Sequence, residues 1–229
     1  MTISDNRQLI SLLDYAMNPA PASEESAVSD FMVQLFHTLH YTSGHCLSQT
    51  HSDFQLLICG KWKQAKINVC LLDCHPLCNI MLLVQADKHF RDGRKIQTSS
   101  SAEAQLIAKA VAAFSWNNHQ QQETGQPLLE SKVCIVLILF TRVDNDILIY
   151  SQIIPGIVIK GTLSIFFKIP VTQQLVTAIM HPAEPTIVAV HSPDLPQPNL
   201  SWSEGMEPLD TNRQHILKCF KTFKAIVGI

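Results

Sequence analysis

The stretch that decides the fold is KINVCLLDCHPLCNIMLLVQADK, residues 66–88. Its first half, residues 67–73, is aliphatic and β-branched, and residues 80–85 form an apolar run typical of a strand buried on both faces. The residues between them, which include His75 and Pro76, supply a turn. The stretch therefore predicts a β-hairpin that ends at Lys88. Because active-site residues of open α/β sheets gather at the carboxyl ends of strands, Lys88 is a candidate functional residue.

Further helices and strands are predicted on both sides of this hairpin. Ser100 with Glu103 forms a capping box for one of the helices, and Ser23 is a candidate N-cap for another. The order of elements predicts one α/β domain over residues 23–229, with a mixed sheet flanked by helices, after an N-terminal helical extension over residues 1–22. The predicted helices cover residues 8–15, 28–39, 106–114 and 211–227, and the predicted strands cover residues 54–59, 67–73, 80–85, 134–140, 147–150, 156–159 and 185–190.

Composition limits the classes of function. Charged residues make up 16% of the 229 residues, below the roughly 25% usual for soluble proteins, so part of the surface is expected to face a partner. The net charge of -2 creates no global field that would recruit nucleic acid, and any such binding has to be local. Seven cysteines and no apparent secretion signal predict an intracellular protein of the cytoplasm or nucleus. No apolar run is long enough for a membrane span, so membrane association is not expected.

The predicted plan of a helix, three strands, a helix and a strand resembles the PD-(D/E)XK nuclease superfamily. The resemblance implies a restriction-endonuclease-like core. In that superfamily an acid on the second strand and an acid-x-lysine on the third bind Mg²⁺ and position water for phosphodiester cleavage. The matching positions here are Asn68, Ala86 and Lys88, and Glu25 in the preceding helix would be the helix carboxylate.

Only Glu25 and Lys88 have the chemistry that this plan requires. Alanine has no ligand atom, asparagine is neutral, and strand alternation turns the adjacent Asp87 to the opposite face. Phosphate ester hydrolysis needs an acceleration of roughly 10¹⁷-fold, which a site without two of its ligands does not reach. The sequence therefore predicts a catalytically impaired nuclease-like protein. Mg²⁺ binding is expected only if the site keeps more of the superfamily's ligands than the mapping to Asn68 and Ala86 indicates. The simpler interpretation is that Lys88 ends a strand in solvent.

Over most of its length the chain also resembles a set of proteins from mushroom-forming fungi. No biochemical function is established for that set. The resemblance implies the same nuclease-like core, with acids at the positions of Asn68 and Ala86. The segments that carry it include LLICGKWKQAKINVCLLD, IMLLVQADK, AEAQLIAKAVAAF and FFKIPVTQ.

The fungal proteins lack a counterpart of residues 134–152, CIVLILFTRVDNDILIYSQ. One interpretation is a β-hairpin insertion with two apolar strands. The other is a translated, unspliced intron, since codons for Val133-Cys134 and Ser151-Gln152 can match the two ends of a fungal intron. Both interpretations stay open at the level of sequence.

Nucleic-acid contact is predicted for a basic patch after the hairpin, formed by Lys88, Arg91, Arg94 and Lys95, which a plain solvated loop would also explain. Gln105 is similar to a glutamine that follows the lysine in some nucleases, or is a solvated helical residue. The leading functional prediction is thus a nuclease-like protein with weak nucleic-acid contact. The alternative is a non-enzymatic interaction or scaffold protein with a protein partner.

A cysteine cluster raises the question of a metal site. Cys70, Cys74 and Cys78 lie near His75, but their spacing differs from the C-x₂-C pairs of structural zinc sites. Alternation would also bury Cys70 in a strand. We therefore predict no metal site there.

Overall fold

The computed structural model of the protein describes residues 3–18, 24–87, 99–128, 151–181, 205–206 and 212–229. The helices are α1 (Ile3–Met17), α2 (Glu24–Thr38), α3 (Ser99–Glu123), α4 (Gln173–Met180) and α5 (Asn212–Val227). The strands are β1 (Cys46–Ile58), β2 (Lys61–Cys74), β3 (Cys78–Ala86), β4 (Ser151–Lys160) and β5 (Leu163–Thr172).

The strands form a five-stranded mixed sheet in the order β1-β2-β3-β4-β5. The neighbours β1–β2, β2–β3 and β4–β5 are antiparallel, whereas β3 and β4 are parallel. A parallel pair needs a crossover connection, and α3 lies within the chain segment that joins these two strands. The prediction of a mixed sheet flanked by helices is confirmed.

Two hydrophobic cores lie on opposite faces of the sheet. The first core packs α1, α2 and α5 against one face, and the second core packs α3 and α4 against the other. Alternate residues of β3 divide between them, since Leu82 and Val84 lie in the first core and Leu83 in the second. This division explains why residues 80–85 read as an unbroken apolar run. Helix α1 contributes Leu13 and Ala16 to the first core.

Helix α3 approaches the sheet closely at Gly156 of β4. A Cβ atom at this position would lie 2.8 Å from Leu106 Cδ2, so a side chain here would require Leu106 to shift. The absence of a side chain at Gly156 therefore lets Leu106 of α3 pack directly against β4, and α3 contributes Gln105, Ala108 and Lys109 to the candidate site.

Several sequence predictions need correction. The first strand begins at Cys46 and is longer than the predicted 54–59, while Cys59 lies in a turn with positive φ. Ser100 is not an N-cap because α3 already begins at Ser99. Strand β5 and helix α4 were not predicted, because their apolar sequence, with Pro170 inside the strand, has no clear period.

Three predicted strands, 134–140, 147–150 and 185–190, and the candidate N-cap Ser23 lie outside the described residues. Of the segment 134–152, only Ser151 and Gln152 are described. They begin β4 and pair with Thr172 and Val171 of β5. Within the described ranges, no helix combines the length and apolar character needed to cross a membrane.

We expect Phe220→Ala to cost about 3–5 kcal/mol of the free energy of unfolding. The Phe220 ring is fully buried in the first core and packs edge-on against Phe36, Tyr41 and Phe166, so its removal leaves a cavity between α5, α2 and the sheet. Urea unfolding measures the loss, and Lys221→Ala on the exposed face of α5 is the matched control. A loss below 1 kcal/mol for Phe220→Ala, by the same cavity argument, would contradict this packing of α5.

Candidate functional site

A cleft of about 310 Å³ opens on the sheet where β2 and β3 separate. The extended β1–β2 hairpin forms one wall, α3 forms the other, and the first turn of α2 closes one end. The lining residues are Glu25 of α2, Leu56 and Ile58 of β1, Lys63, Gln64, Ala65, Lys66 and Asn68 of β2, Gln85 of β3, and Gln105, Ala108 and Lys109 of α3.

Asn68 lies at the point where β2 leaves β3. The β2–β3 ladder runs from the pair Val69–Val84 to the pair Cys74–Cys78, so β2 begins to pair with β3 one residue after Asn68. Strand alternation also breaks there, because Ile67 packs in the second core and Val69 in the first. The Asn68 side chain, only 4% exposed, replaces the missing ladder. Its Oδ1 accepts a hydrogen bond of 3.1 Å from the backbone N–H of Ala86.

The other end of the Asn68 carboxamide meets Glu25. Asn68 Nδ2 donates a hydrogen bond to Glu25 Oε1. Glu25 is in the first turn of α2, where the partial positive charge of a helix N-terminus stabilises a carboxylate. Asn68 therefore links the α2 carboxylate to the backbone of β3.

A second pair of polar side chains joins β3 to α3. Lys109 Nζ donates to Gln85 Oε1, and Gln85 Nε2 donates to the backbone carbonyl of Ala86 at 2.6 Å. Gln85 is 2% exposed and Lys109 is 7% exposed. Burial at this level requires partners for both side chains, because an unpaired buried polar group is costly.

These contacts form one continuous hydrogen-bond chain. It runs from the ammonium group of Lys109 through Gln85, the backbone of Ala86 and Asn68 to the carboxylate of Glu25. Every bond donates in the same direction, from the cation towards the anion. The Gln85 carboxamide couples the two bonds of the first half and the Asn68 carboxamide couples the two bonds of the second, so the bonds within each half strengthen one another in a low-dielectric surrounding. The two halves meet at Ala86, whose C=O and N–H belong to different peptide groups.

The residues of the cleft do not fit a Mg²⁺ ion. Mg²⁺ in protein sites is held by carboxylates with near-ideal geometry. Among the lining residues the only carboxylate is Glu25, which already accepts from Asn68, and three lysines accompany it. Asp87 does not line the cleft and forms an ion pair of 3.7 Å with Lys160 of β4.

The electrostatics of the cleft favour an anion instead. Lys63 and Lys66 extend from the exposed part of β2, and Lys109 lies deeper on α3. Three lysines and one glutamate line the cleft, so its lining has an excess of positive charge. Lysines of this kind bind phosphate groups as flexible point charges.

The predicted site residues have different outcomes. Glu25 and Asn68 are hydrogen-bonded in the cleft, Ala86 joins them through its backbone N–H, and Gln105 lines the same cleft on the exposed side of α3. Lys88 and its basic neighbours Arg91, Arg94 and Lys95 lie outside the described residues.

Sequence reasoning missed Gln85 and the three lysines of the cleft. A signal for Lys109 was present, because a lysine within the apolar run LIAKAVAAF, one helical turn after Gln105, has to be buried with a partner. Gln85 carries a similar signal as the single amide that ends the run IMLLVQ. Lys63 and Lys66 alternate with neutral residues on a strand and have no distinguishing pattern.

The predicted cysteine cluster divides between two places. Cys70 is buried in the second core, where its sulfur lies 3.7 Å from Ser52 Oγ, whereas Cys74 and Cys78 lie together at the hairpin turn. In the part of the chain that the structure describes, no three His, Cys, Asp or Glu side chains are grouped to hold a metal ion.

Comparison of the chain with models of protein families and with curated proteins gives no match. The function is therefore argued from the cleft itself.

We expect Asn68→Asp to destabilise the protein by about 1–3 kcal/mol at pH 7. The substitution removes the N–H donor and places a second carboxylate beside Glu25, and two such carboxylates raise each other's pKa in the folded chain. Because the folded pKa lies above the unfolded value of about 4, the destabilisation is absent below that pH and grows as the pH rises. Urea unfolding from pH 3.5 to 7.5, a range of about four units around these pKa values, measures it.

Asn68→Ala is the matched control, since it removes the same hydrogen bonds without adding a charge. Its loss of stability should increase less with pH than that of Asn68→Asp, since the only pH-dependent part is the lost hydrogen bond to the ionised form of Glu25. Equal stability of Asn68→Asp and the native chain at pH 7 would show that Glu25 does not lie beside position 68.

Proposed function

We propose that the protein is a catalytically impaired nuclease-like protein that binds the phosphodiester backbone of nucleic acid in the cleft without cutting it. The observation that carries this proposal is the hydrogen-bond chain from Lys109 to Glu25, which occupies the one carboxylate that lines the cleft, while Lys63 and Lys66 line the same cleft. The proposal includes a restriction-endonuclease-like core.

The order of elements supports this core. Helix α2, the antiparallel strands β1, β2 and β3, helix α3 and the parallel strand β4 follow the plan of a helix, three strands, a helix and a strand. Asn68 on the second strand and Ala86 on the third meet where these strands separate. Residues of the second and third strands are the ones that the nuclease plan uses for chemistry.

The physical properties of the cleft support a nucleic-acid backbone as the ligand. A phosphodiester carries one negative charge per nucleotide, and lysines gain affinity by releasing its counterions. Lys63 and Lys66 both line the cleft on the exposed part of β2, and Lys109 adds charge at the base of the cleft. The apolar walls formed by Leu56, Ile58 and Ala108 leave room for sugars and bases.

Cleavage is not expected because the groups that would hold a metal ion and activate water are missing. Ala86 offers only its backbone, and Asn68 contributes its carbonyl oxygen to a backbone N–H and its N–H to Glu25. A carboxylate that accepts a hydrogen bond from a buried amide is also a weaker general base.

The first test of this proposal is the salt dependence of binding. For a fluorescent oligonucleotide titrated at several salt concentrations, log affinity should fall linearly with log salt. The double substitution Lys63→Ala with Lys66→Ala should reduce the magnitude of that slope by about 2, since it removes two phosphate contacts. Fluorescence polarisation measures both quantities.

The matched control is Lys218→Ala with Lys221→Ala, which removes two exposed lysines from α5, a helix that contributes no residue to the cleft. The control should bind like the native chain. Equal slopes for the two double variants would mean that nucleic acid does not occupy the cleft.

The second test concerns cleavage. The purified chain should not cut DNA or RNA with Mg²⁺, whereas Asn68→Asp combined with Ala86→Glu should bind Mn²⁺, because the combination places three carboxylates at the point where β2 and β3 separate. Calorimetric titration measures the metal binding. Cleavage by the native chain that Lys88→Ala abolishes would overturn the assignment as an impaired nuclease.

A protein-binding role is the second candidate, and one observation favours it. Trp62, next to the turn that joins β1 to β2, is 67% exposed, and exposed tryptophans are enriched among residues that dominate protein interfaces. A stoichiometric protein complex that Trp62→Ala disrupts, together with no salt-dependent nucleic-acid binding, would favour this second function.

A further inference from the structure

Cys74 and Cys78 face each other at the turn between β2 and β3. They are the last pair of the β2–β3 ladder, with their Cα atoms directly opposite. The two sulfur atoms are 2.8 Å apart, and Cys78 is exposed while Cys74 is half-buried. The turn between them contains His75, whose ring lies 4.5 Å from the ring of His45.

This arrangement meets the geometric requirement for a disulfide without movement of the backbone. Directly opposite residues of an antiparallel pair have Cα atoms about 4.5–5.5 Å apart, within the range of about 4.4–6.8 Å that disulfides span. The side chains of such a pair lie on the same face of the sheet. The contact between the sulfur atoms shows that the two side chains already point towards each other.

The other described cysteines lack such a neighbour. Cys46 has the thioether of Met81 at 4.0 Å, and Cys70 has the hydroxyl of Ser52. Neither neighbour forms a disulfide. Within the described residues, Cys74 and Cys78 are thus the pair of thiols in direct contact.

We propose that Cys74 and Cys78 form a modification site, a dithiol that reacts with small disulfides of the glutathione type to give an intramolecular disulfide. The oxidant is the small disulfide itself. This site is separate from the cleft and does not depend on the function proposed above.

The reaction has two thiol–disulfide exchanges. Cys78 loses its proton, attacks one sulfur of the small disulfide and releases one small thiolate, which leaves Cys78 in a mixed disulfide. Cys74 then loses its proton and attacks Cys78 Sγ, and the second small thiolate departs. The two thiolates take up the two protons, so the protein loses two hydrogen atoms and the small disulfide becomes two thiols.

The surroundings of the two sulfurs favour this order of attack. Cys78 is the exposed member and meets an external disulfide first. The hydrogen bond shared with Cys78, together with burial, raises the pKa of Cys74 to about 11, so Cys74 keeps its proton while both thiols are free. In a mixed disulfide Cys78 Sγ can no longer carry a negative charge, so the repulsion that helps to keep Cys74 protonated is lost and Cys74 is prepared for the second step.

The disulfide should be readily reversed. The stabilisation that a disulfide gives by restricting the unfolded chain falls as the closed loop becomes shorter, and the loop from Cys74 to Cys78 is very short. An exposed disulfide with little such stabilisation is reduced by small thiols. These properties are typical of regulatory rather than structural disulfides.

The test uses the full chain, reduced and then incubated in mixtures of glutathione and its disulfide. Free thiols are blocked with an alkylating reagent, and intact mass and peptide mapping follow. We expect the peptide of residues 67–88 to lose two alkylatable thiols, to carry a Cys74–Cys78 bond and to retain no glutathione. Excess reduced glutathione should restore both thiols.

Two variants and one control make the test specific. Cys74→Ser should stop at the mixed disulfide and retain one glutathione on Cys78, while Cys59→Ser, which removes another exposed thiol, should behave like the native chain. The native result alone decides the proposal if Cys74→Ser fails to fold. Full alkylation of Cys74 and Cys78 while Cys59 is glutathionylated, or a bond to Cys70 instead, would overturn it.

Discussion

The hydrogen bond from the Ala86 N–H to Asn68 Oδ1 is the constraint on which the site depends. It closes the gap where β2 and β3 separate, and it joins the two halves of a chain that runs from Lys109 on α3 to Glu25 on α2. Four elements therefore meet through one set of polar contacts. Loss of any member leaves buried polar groups without their partners, which costs about 1–3 kcal/mol for each group. Opposite charges at the two ends make the buried chain tolerable, because neither charge is left uncompensated.

The amide at position 68 determines the chemistry of the cleft. A carboxylate there would repel Glu25 and require a cation between them, whereas the amide satisfies Glu25 directly. Glu25 is thus satisfied by Asn68 rather than by a metal ion, and the lysines give the cleft its positive charge. This excess of positive charge is the basis for the proposal that the cleft binds phosphate groups. The Cys74–Cys78 dithiol lies at the other end of the β2–β3 ladder, away from the cleft.

The sequence predicts the sheet well where the hydrophobic period is clear. The hairpin of β2 and β3 and the long helices follow from their apolar runs, and the resemblance to the nuclease plan implied one site for Glu25 and Asn68, which are hydrogen-bonded. Strand β5 was missed because its faces change between the two cores without a simple period. Gln85 and Lys109 were missed because their pairing depends on how closely α3 lies over the sheet, which Gly156 and Leu106 determine in three dimensions. The sequence pattern of one helix or strand does not show how far α3 lies from the sheet.

The measurement that tests this account most directly is nucleic-acid binding with and without divalent ions. The affinity of the chain for an oligonucleotide is compared in Mg²⁺ and in a chelator, at the same ionic strength, by fluorescence polarisation. We expect binding in the chelator to be at least as tight as in Mg²⁺, because lysines line the cleft, its carboxylate accepts from Asn68, and Mg²⁺ competes with lysines for phosphates. Binding that appears only with Mg²⁺ would contradict it, since the ion would then have to be held by residues that the structure shows engaged with one another.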